Sequence, residues 1–457
     1  MTSAEIASVT GGHLAGSPAT VVTGAGVDSR RLRPGDLFVA LPGQRQDGHI
    51  FVQSALEVAA AALVRAGVEV PPPPEGRAMI FVDDPLRAYH RLAAAERTRR
   101  SWQIAAVTGS VGKTTTKELL AELVSGRFVT GASAGNRNST LGLPAELLSQ
   151  PENIEVFIAE MGMSHAGELD LLGRIVRPNA LLYTRLAPAH TAFFKDMDAI
   201  VEAKAELLPH LDPDGVLVIN AGDAAQAGYA RRTRARLVRY GSPESPVRAE
   251  RLEDRGLAGT RFDLVIGETR HAVAFEPAGV HQVENLLGAA AVAWALGVDP
   301  AAIADRTARL RAAPRRGRLL HIGSGIVLVD DSYNASPLAV RRMLELLRRT
   351  RGRRVAVLGE MYELGNMAPE AHSEAGREAA ASCDVLIAVG RDDARTMARA
   401  AREAGLARTA VHHAADAEAA ARLLEELLRP GDVVLVKGSR GVGLDRTVDA
   451  LVPEEAV

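Results

Sequence analysis

IAAVTGSVGKTTTKELLAEL, Ile104–Leu123, decides the fold of this 457-residue chain. An apolar run, Ile104–Val107, leads into a loop holding Gly109 and Gly112, and a helix-forming stretch follows at once. The glycines free the backbone of the Gly109–Ser110–Val111–Gly112 turn, so that its N–H groups face phosphate oxygens. Lys113 brings a point charge to the β- and γ-phosphates. The Thr114 hydroxyl suits Mg2+, and Thr115 continues the helix whose positive dipole end meets the same anion. The strict pattern has glycine six residues before the lysine, where this chain has Val107. The motif is therefore the shorter G-S-V-G-K-T form, and the competing reading is an accidental glycine-rich turn.

Outward from this loop the same style repeats. Strands are expected at Glu155–Ala159, Ala180–Tyr183 and Val216–Ile219, with helical segments between, which argues for a parallel sheet covered on both faces. Before it lie strands at Leu37–Ala40, Ala61–Arg65 and Met79–Val82, helices at His49–Ala60 and Pro85–Arg100, and a polar linker at Arg97–Ser101. After Pro314 come strands at Ile326–Val329, Val355–Leu358, Val385–Val389 and Val433–Val436, in the manner of a doubly wound nucleotide fold. The expected fold class is three tandem α/β domains, with a central P-loop parallel-sheet domain and a C-terminal Rossmann-like domain. The boundaries fall at 1–100, 101–313 and 314–457, since 457 residues exceed one core.

Composition narrows the function. The net charge of -2 gives no basic footprint for nucleic acid. The Arg-dense stretches Arg231–Arg239 and Arg341–Arg354 read as solvated helix faces. No apolar run is long enough to cross a membrane, and residues 1–12 lack the form of a signal peptide, so a cytoplasmic monomer is expected. Cys383 heads an apolar run and reads as a buried thiol. Only five of the 54 basic residues are lysine: Lys113, Lys117, Lys195, Lys204 and Lys437. A chain that uses arginine almost everywhere keeps lysine where a compact charge, or one that can lose its proton, is needed.

Glu160 ends the strand after the phosphate loop, where a triphosphate site needs an acid for Mg2+; taken alone it reads as a solvated strand cap. Asn334, in the loop after the third block's first strand, and Ser439 with Arg440, after its last, lie at strand C-terminal ends, where open α/β sheets bind ligands. They are candidate ligand-binding residues, with turn capping as the alternative.

In order and spacing, TGSVGKTTT, AEMG (Ala159–Gly162), TRLAPAH (Thr184–His190) and EAKAEL (Glu202–Leu207) resemble the Mur ligases. These ATP-dependent enzymes add amino acids to the peptide stem of cell-wall precursors. DSRRLRPGDLFVALPGQRQDGHIF (Asp28–Phe51) looks like the family's UDP-binding domain. HQVENLLGAAAVAWALG, PRRGRL, DDSYNASP, LGEMYELG and LVKGSRGVGLDRTV carry the likeness through the C-terminal half, and the last three are most similar to the branch that adds D-alanyl-D-alanine. The resemblance implies ATP, two Mg2+ ions, UDP-N-acetylmuramoyl-tripeptide and D-alanyl-D-alanine as ligands. By it, Glu160 and His190 bind Mg2+ and Lys204 is carried as a carbamate. Asn285 meets adenine, Arg318 phosphate, Asp331 ribose, Ser29 and Arg30 the uracil, and Asn334, Ser439 and Arg440 the incoming dipeptide. The implied reaction joins the tripeptide carboxylate to the dipeptide amine through an acyl phosphate, and requires the third domain to close on the second. Rival readings are another amino-acid ligase of this family and, from a different class, a P-loop nucleotide switch. There are departures. Arg185, Leu186, Ala187 and Pro188 stand where the family usually has an Asn-Ile-Gly-like run. GNRNSTLGLP (Gly135–Pro144) varies the family's Asn-rich loop, and Lys195 reads as surface.

Overall fold

The computed structural model describes residues 1–43, 46–188 and 191–452. The expected metal ligand His190 therefore lies outside the described residues. Three sheets follow one another along the chain. The first holds β1 (His13–Gly16), β2 (Gly24–Gly26), β3 (Asp36–Val39), β4 (Ala61–Arg65) and β5 (Ala78–Val82), in the order β1-β5-β4-β3-β2. β1 is its antiparallel edge. Residues 48–56, expected as one helix reaching Ala60, form a 3-10 turn (Gly48–Phe51) and a short helix (Val52–Leu56). The segment expected as a polar linker is largely helical, because the Pro85–Arg99 helix, capped by Asp84, runs through it.

The central sheet contains β6 (Gln103–Thr108), β7 (Thr130–Ala132), β8 (Val156–Glu160), β9 (Ala180–Tyr183), β10 (Val216–Asn220), β11 (Arg236–Tyr240), β12 (Val247–Asp254), β13 (Thr260–Ile266) and β14 (Thr269–Phe275). Its order is β14-β13-β12-β11-β10-β9-β6-β8-β7. The strands from β7 to β12 pair in parallel. Of these, β6, β8, β9 and β10 read as unbroken apolar runs because both faces are covered. Ala105 and Val107 enter one core cluster, while Ile104 and Ala106 enter the other. The expected parallel sheet is present, and β12–β13–β14 add an antiparallel extension to it that the sequence reading did not include. Residues 231–239, expected as a helix face, are the end of a 3-10 turn followed by β11, in which Arg236 and Arg239 are exposed.

The third sheet holds β15 (Arg318–His321), β16 (Val327–Asp331), β17 (Arg354–Gly359), β18 (Val385–Val389), β19 (Val411–Ala414) and β20 (Val433–Lys437). It is ordered β15-β16-β20-β17-β18-β19, parallel except for the edge hairpin β15–β16. Ala356 and Leu358 pack on one face, Val355 and Val357 on the other. Cys383 is buried there, and burial pushes its thiol up to about 12. No described helix is long and apolar enough to cross a membrane.

Candidate active site

The phosphate loop joins β6 to the Lys113–Val124 helix. Gly109 and Gly112 hold φ of +143° and +89°, a region that side chains rarely enter. A Cβ at Gly109 would strike the Thr184 hydroxyl, and one at Gly112 the Asn285 carboxamide. Both positions are therefore glycine for reasons of space as well as of angle. The Lys113 ammonium folds back on its own loop, donating to the Gly109 and Ser110 carbonyls at 3.0 and 3.2 Å. Burial holds it below the ordinary lysine range, with the Glu160 carboxylate acting in the opposite direction.

Glu160, at the end of β8, is 1% exposed. Its Oε1 accepts from Asn138 Nδ2 at 2.7 Å, and its Oε2 is buried with no donor among the described residues. A carboxylate oxygen left so costs about 1–3 kcal/mol or more. An oxygen donor unsatisfied by protein, beside the Thr114 hydroxyl and the phosphate loop, is what a hard cation such as Mg2+ takes. The Ser110 hydroxyl is also buried and unpartnered. Lys204, on the Met197–Ala205 helix, is 2% exposed. Burial first, and the Lys113 charge second, hold its ammonium well below the lysine range. No carboxylate among the described residues pairs with it. Tyr183 fixes this turn of helix by donating its hydroxyl to the Lys204 carbonyl at 2.7 Å.

The third domain completes a cavity of about 510 Å3 over this loop. Asp331 receives Lys437 Nζ at 2.5 Å, and the same ammonium reaches the Asn334 carbonyl at 3.0 Å. Lys437 thereby ties the ends of β16 and β20 into one ligand-facing edge. Arg440 crosses between domains, donating to Asn136 Oδ1 at 2.5 Å and to the Tyr333 hydroxyl at 3.1 Å. Ser439 is 3% exposed and its hydroxyl accepts the Tyr362 N–H at 2.9 Å, so it lines the cavity and also holds the 362 loop. Thr191 and Ala192 meet the third domain at the carbonyls of Leu364 and Glu363.

Gly109 and Lys204 sit behind the lining, while Ser110 to Thr115, Glu160, Asn285, Asp331, Asn334, Ser439 and Arg440 line this one cavity. Arg318 does not. It lies in β15, paired in register with Asp330. Of the arginines in the PRRGRL segment, the one that lines the cavity is Arg316, whose guanidinium lies 3.9 Å over the Tyr333 ring. No hydrogen-bond acceptor is found for it among the described residues. Arg316, Tyr333 and Glu363 sit inside the quoted motifs PRRGRL, DDSYNASP and LGEMYELG, so the segments were legible although the individual residues were not.

A second cavity, of about 950 Å3, lies between the first and central domains. Asp28, Arg31, Arg33 and Asp36 line it from one side and Arg100, Arg137 and Glu146 from the other. Ser29 and Arg30 do not line it, because they form a 3-10 turn in which Asp28 caps the Arg30 N–H and pairs with its exposed guanidinium. Asn136 and Ser139 line both cavities. The Asn-rich loop thus connects them.

A glycine-built anion cradle, an unsatisfied acid and a two-domain cleft define an enzyme that works on nucleoside triphosphate phosphates. The family models agree. The Mur ligase middle domain matches residues 107–293, the Mur ligase glutamate ligase domain residues 315–440, and the Mur ligase family catalytic domain residues 21–97. UDP-N-acetylmuramoyl-tripeptide--D-alanyl-D-alanine ligase of Bacillus subtilis (strain 168) is 32% identical, over 95% of this chain and 94% of that protein. The crystal structure of MurF from Acinetobacter baumannii superposes with a TM-score of 0.86 at 29% identity, covering 98% of each chain. MurF ligase from Thermotoga maritima, solved in complex with ADP, gives 0.80 at 27% identity, over 94% of this chain and 97% of that one. The chain belongs to the Mur ligase family. It is an ATP-dependent, ADP-forming ligase of the acid–amino-acid class, which removes the reading as a nucleotide switch.

Proposed function

We infer that this enzyme joins D-alanyl-D-alanine to UDP-N-acetylmuramoyl-tripeptide, forming an amide bond in the synthesis of peptidoglycan precursors. The observation that carries this reading beyond likeness is the shared lining of the two cavities by Asn136 and Ser139. A nucleotide-linked peptide seated between the first and central domains can pass along this loop and deliver its terminal carboxylate to the phosphate loop. The first domain (1–100) then takes the UDP part, the central domain (101–313) ATP, and the third (314–457) the incoming dipeptide.

A carboxylate is a poor acyl donor, so it attacks the γ-phosphorus of ATP, giving an acyl phosphate and ADP. Lys113 moves from its loop carbonyls onto the β- and γ-phosphates, and the N–H groups from Gly112 to Thr115 at the helix start cradle them. Arg316 approaches the transferring group from the third domain. Asn285 and Asp331 hold adenine and ribose. The amine of the dipeptide then attacks the acyl carbon, the tetrahedral oxyanion is stabilised by the same cations, and collapse expels phosphate. Thr114 and Glu160 would hold Mg2+, as would His190 and Lys204 once CO2 had capped its buried amine, and the ion would supply neutralisation of charge on the phosphoryl oxygens. Asn334, Ser439 and Arg440, at the strand ends of the third sheet, face the dipeptide. Closure of this domain excludes water from the acyl phosphate.

The test is phosphate release from ATP in the presence of UDP-N-acetylmuramoyl-tripeptide, with acceptors added one at a time. Release that requires D-alanyl-D-alanine, and that does not occur with D-glutamate, L-alanine or diaminopimelate, is expected. Release with one of those acceptors instead would move the substrate within the family.

A further inference from the structure

The segment that departs from the family pattern, beginning at Arg185, is wired to both the phosphate loop and the third domain. The Arg185 carbonyl accepts the N–H groups of Ser110 and Val111, at 3.0 and 3.2 Å, so the middle of the phosphate loop hangs on this one residue. Its guanidinium pairs with Glu284 Oε1 at 2.8 Å, while its Nε is buried without an acceptor. Glu284 lies on the Val280–Ala295 helix, immediately before Asn285, whose carboxamide abuts Gly112. The same Oε1 accepts from Asn220 Nδ2 at 2.5 Å. Its other oxygen accepts from Arg342 Nη2 at 3.0 Å, and Arg342 belongs to the Pro337–Arg348 helix of the third domain. The three side chains are 31%, 18% and 20% exposed, so the pairs are only partly screened by solvent.

We propose that Arg342, Glu284 and Arg185 are positioning residues, a charge relay through which the docked third domain sets the geometry of the phosphate loop. One carboxylate serves two guanidiniums from different domains. With Arg342 in place, Glu284 is held from both sides and fixes Arg185. The Arg185 carbonyl ties down Ser110 and Val111 and so sets the course of the loop into the helix end from Gly112 to Thr115, whose N–H groups are left for the phosphates. With Arg342 withdrawn, Glu284 and Arg185 remain a simple surface-leaning pair with more freedom. The relay makes the loop fully ordered only when the domain that brings the dipeptide is docked, which limits ATP turnover without acceptor. This inference rests on the ligase reading above.

The experiment uses the full chain, with Arg342→Gln, Arg342→Lys, Glu284→Gln and the double variant Glu284→Gln/Arg342→Gln. Wild-type release of phosphate dependent on D-alanyl-D-alanine is measured first; its absence removes the ligase reading and the relay with it. Given that activity, Arg342→Gln should lower kcat about threefold to tenfold, the size expected of a partly buried charge pair that misplaces reacting groups. Its affinity for ADP, by calorimetry, should stay within about twofold of wild type, because the relay fixes Ser110 and Val111 while the N–H groups from Gly112 to Thr115 still hold the phosphates. Arg342 also lines the cavity, so a role in direct ligand contact would show instead as lost ADP affinity. Arg342→Lys should recover activity, and the double variant should be no slower than Glu284→Gln alone, since Arg342 acts through Glu284. An unchanged kcat in Arg342→Gln, additive losses in the double variant, or a matching loss of ADP affinity would each overturn the relay while leaving the ligase reading intact.

Discussion

Replacing Arg316 by methionine removes a guanidinium while keeping an apolar stem against Tyr333. In the structure this guanidinium lies 3.9 Å over the Tyr333 ring, lines the cavity shared with Lys113 and Glu160, and has no acceptor among the described residues. Its donors are thus free for phosphoryl oxygens. A charge-assisted hydrogen bond contributes about 1.5–3 kcal/mol. At about 1.36 kcal/mol per factor of ten in rate, its loss corresponds to roughly tenfold to 150-fold in kcat. The cation–π contact of about 0.5–1 kcal/mol is also lost, but sulfur on an aromatic ring offsets much of it. The melting temperature should therefore move little. Arg318→Met is the paired control: Arg318 sits in β15 away from the cavity, and its kcat should stay within about twofold of wild type. Steady-state phosphate release at saturating substrates reads both. Arg316→Met at wild-type rate, with Arg318→Met slowed tenfold or more, would refute the assignment and restore the reading made from sequence.

Three further outcomes follow from the geometry. Gly112→Ala must hold φ near +89° and push aside Asn285, so nucleotide affinity should fall at least about tenfold, with roughly 1–2 kcal/mol of stability lost; calorimetry with ADP and thermal unfolding check this. Lys204→Met should fold and bind ADP yet turn over about a hundredfold more slowly, whereas Lys204→Arg should also melt lower, because arginine keeps its charge in a site 2% exposed. Cys383, its thiol pushed up to about 12 by burial, stays protonated at pH 7 to 9, so a thiol reagent should label it only after denaturation; fast labelling of the native chain would contradict its burial.

Much of this was legible in the sequence for a physical reason. Parallel strands covered on both faces must be continuous apolar runs, so β6, β8, β9 and β10 stand out, as do β17, β18 and β20. The antiparallel strands β12–β14 do not stand out. In β12, VRAERLED interleaves charges with apolar residues in no regular alternation, and its ladder is broken by a bulge between Glu250 and Glu253. The short strands β1 and β2 consist largely of glycine and small residues, which carry no pattern. At the site, the phosphate loop and Glu160 were readable because position and residue type both follow from the chemistry. Arg316 was not, because three arginines crowd into four positions of PRRGRL and only the start of β15 decides which one faces the cavity. Ser29 and Arg30 do not line the second cavity for the opposite reason: Asp28 caps the 3-10 turn that holds them and pairs with the Arg30 guanidinium, and nothing in their spacing betrays it. The scarcity of lysine proved informative. Lys113, Lys117, Lys204 and Lys437 are buried or bonded in the site and its supports, Lys117 reaching the Ser133 carbonyl at 2.6 Å beneath the Asn-rich loop.

The measurement that reaches the central claim most directly is oxygen transfer from the substrate carboxylate to phosphate. UDP-N-acetylmuramoyl-tripeptide is labelled with 18O in its terminal carboxylate and incubated with ATP and D-alanyl-D-alanine, and the released phosphate is analysed by mass spectrometry. Activation through an acyl phosphate predicts that each phosphate formed carries a labelled oxygen from the peptide, in step with the amide product. Unlabelled phosphate alongside amide product would contradict the account, because the carboxylate would then have been activated by another route.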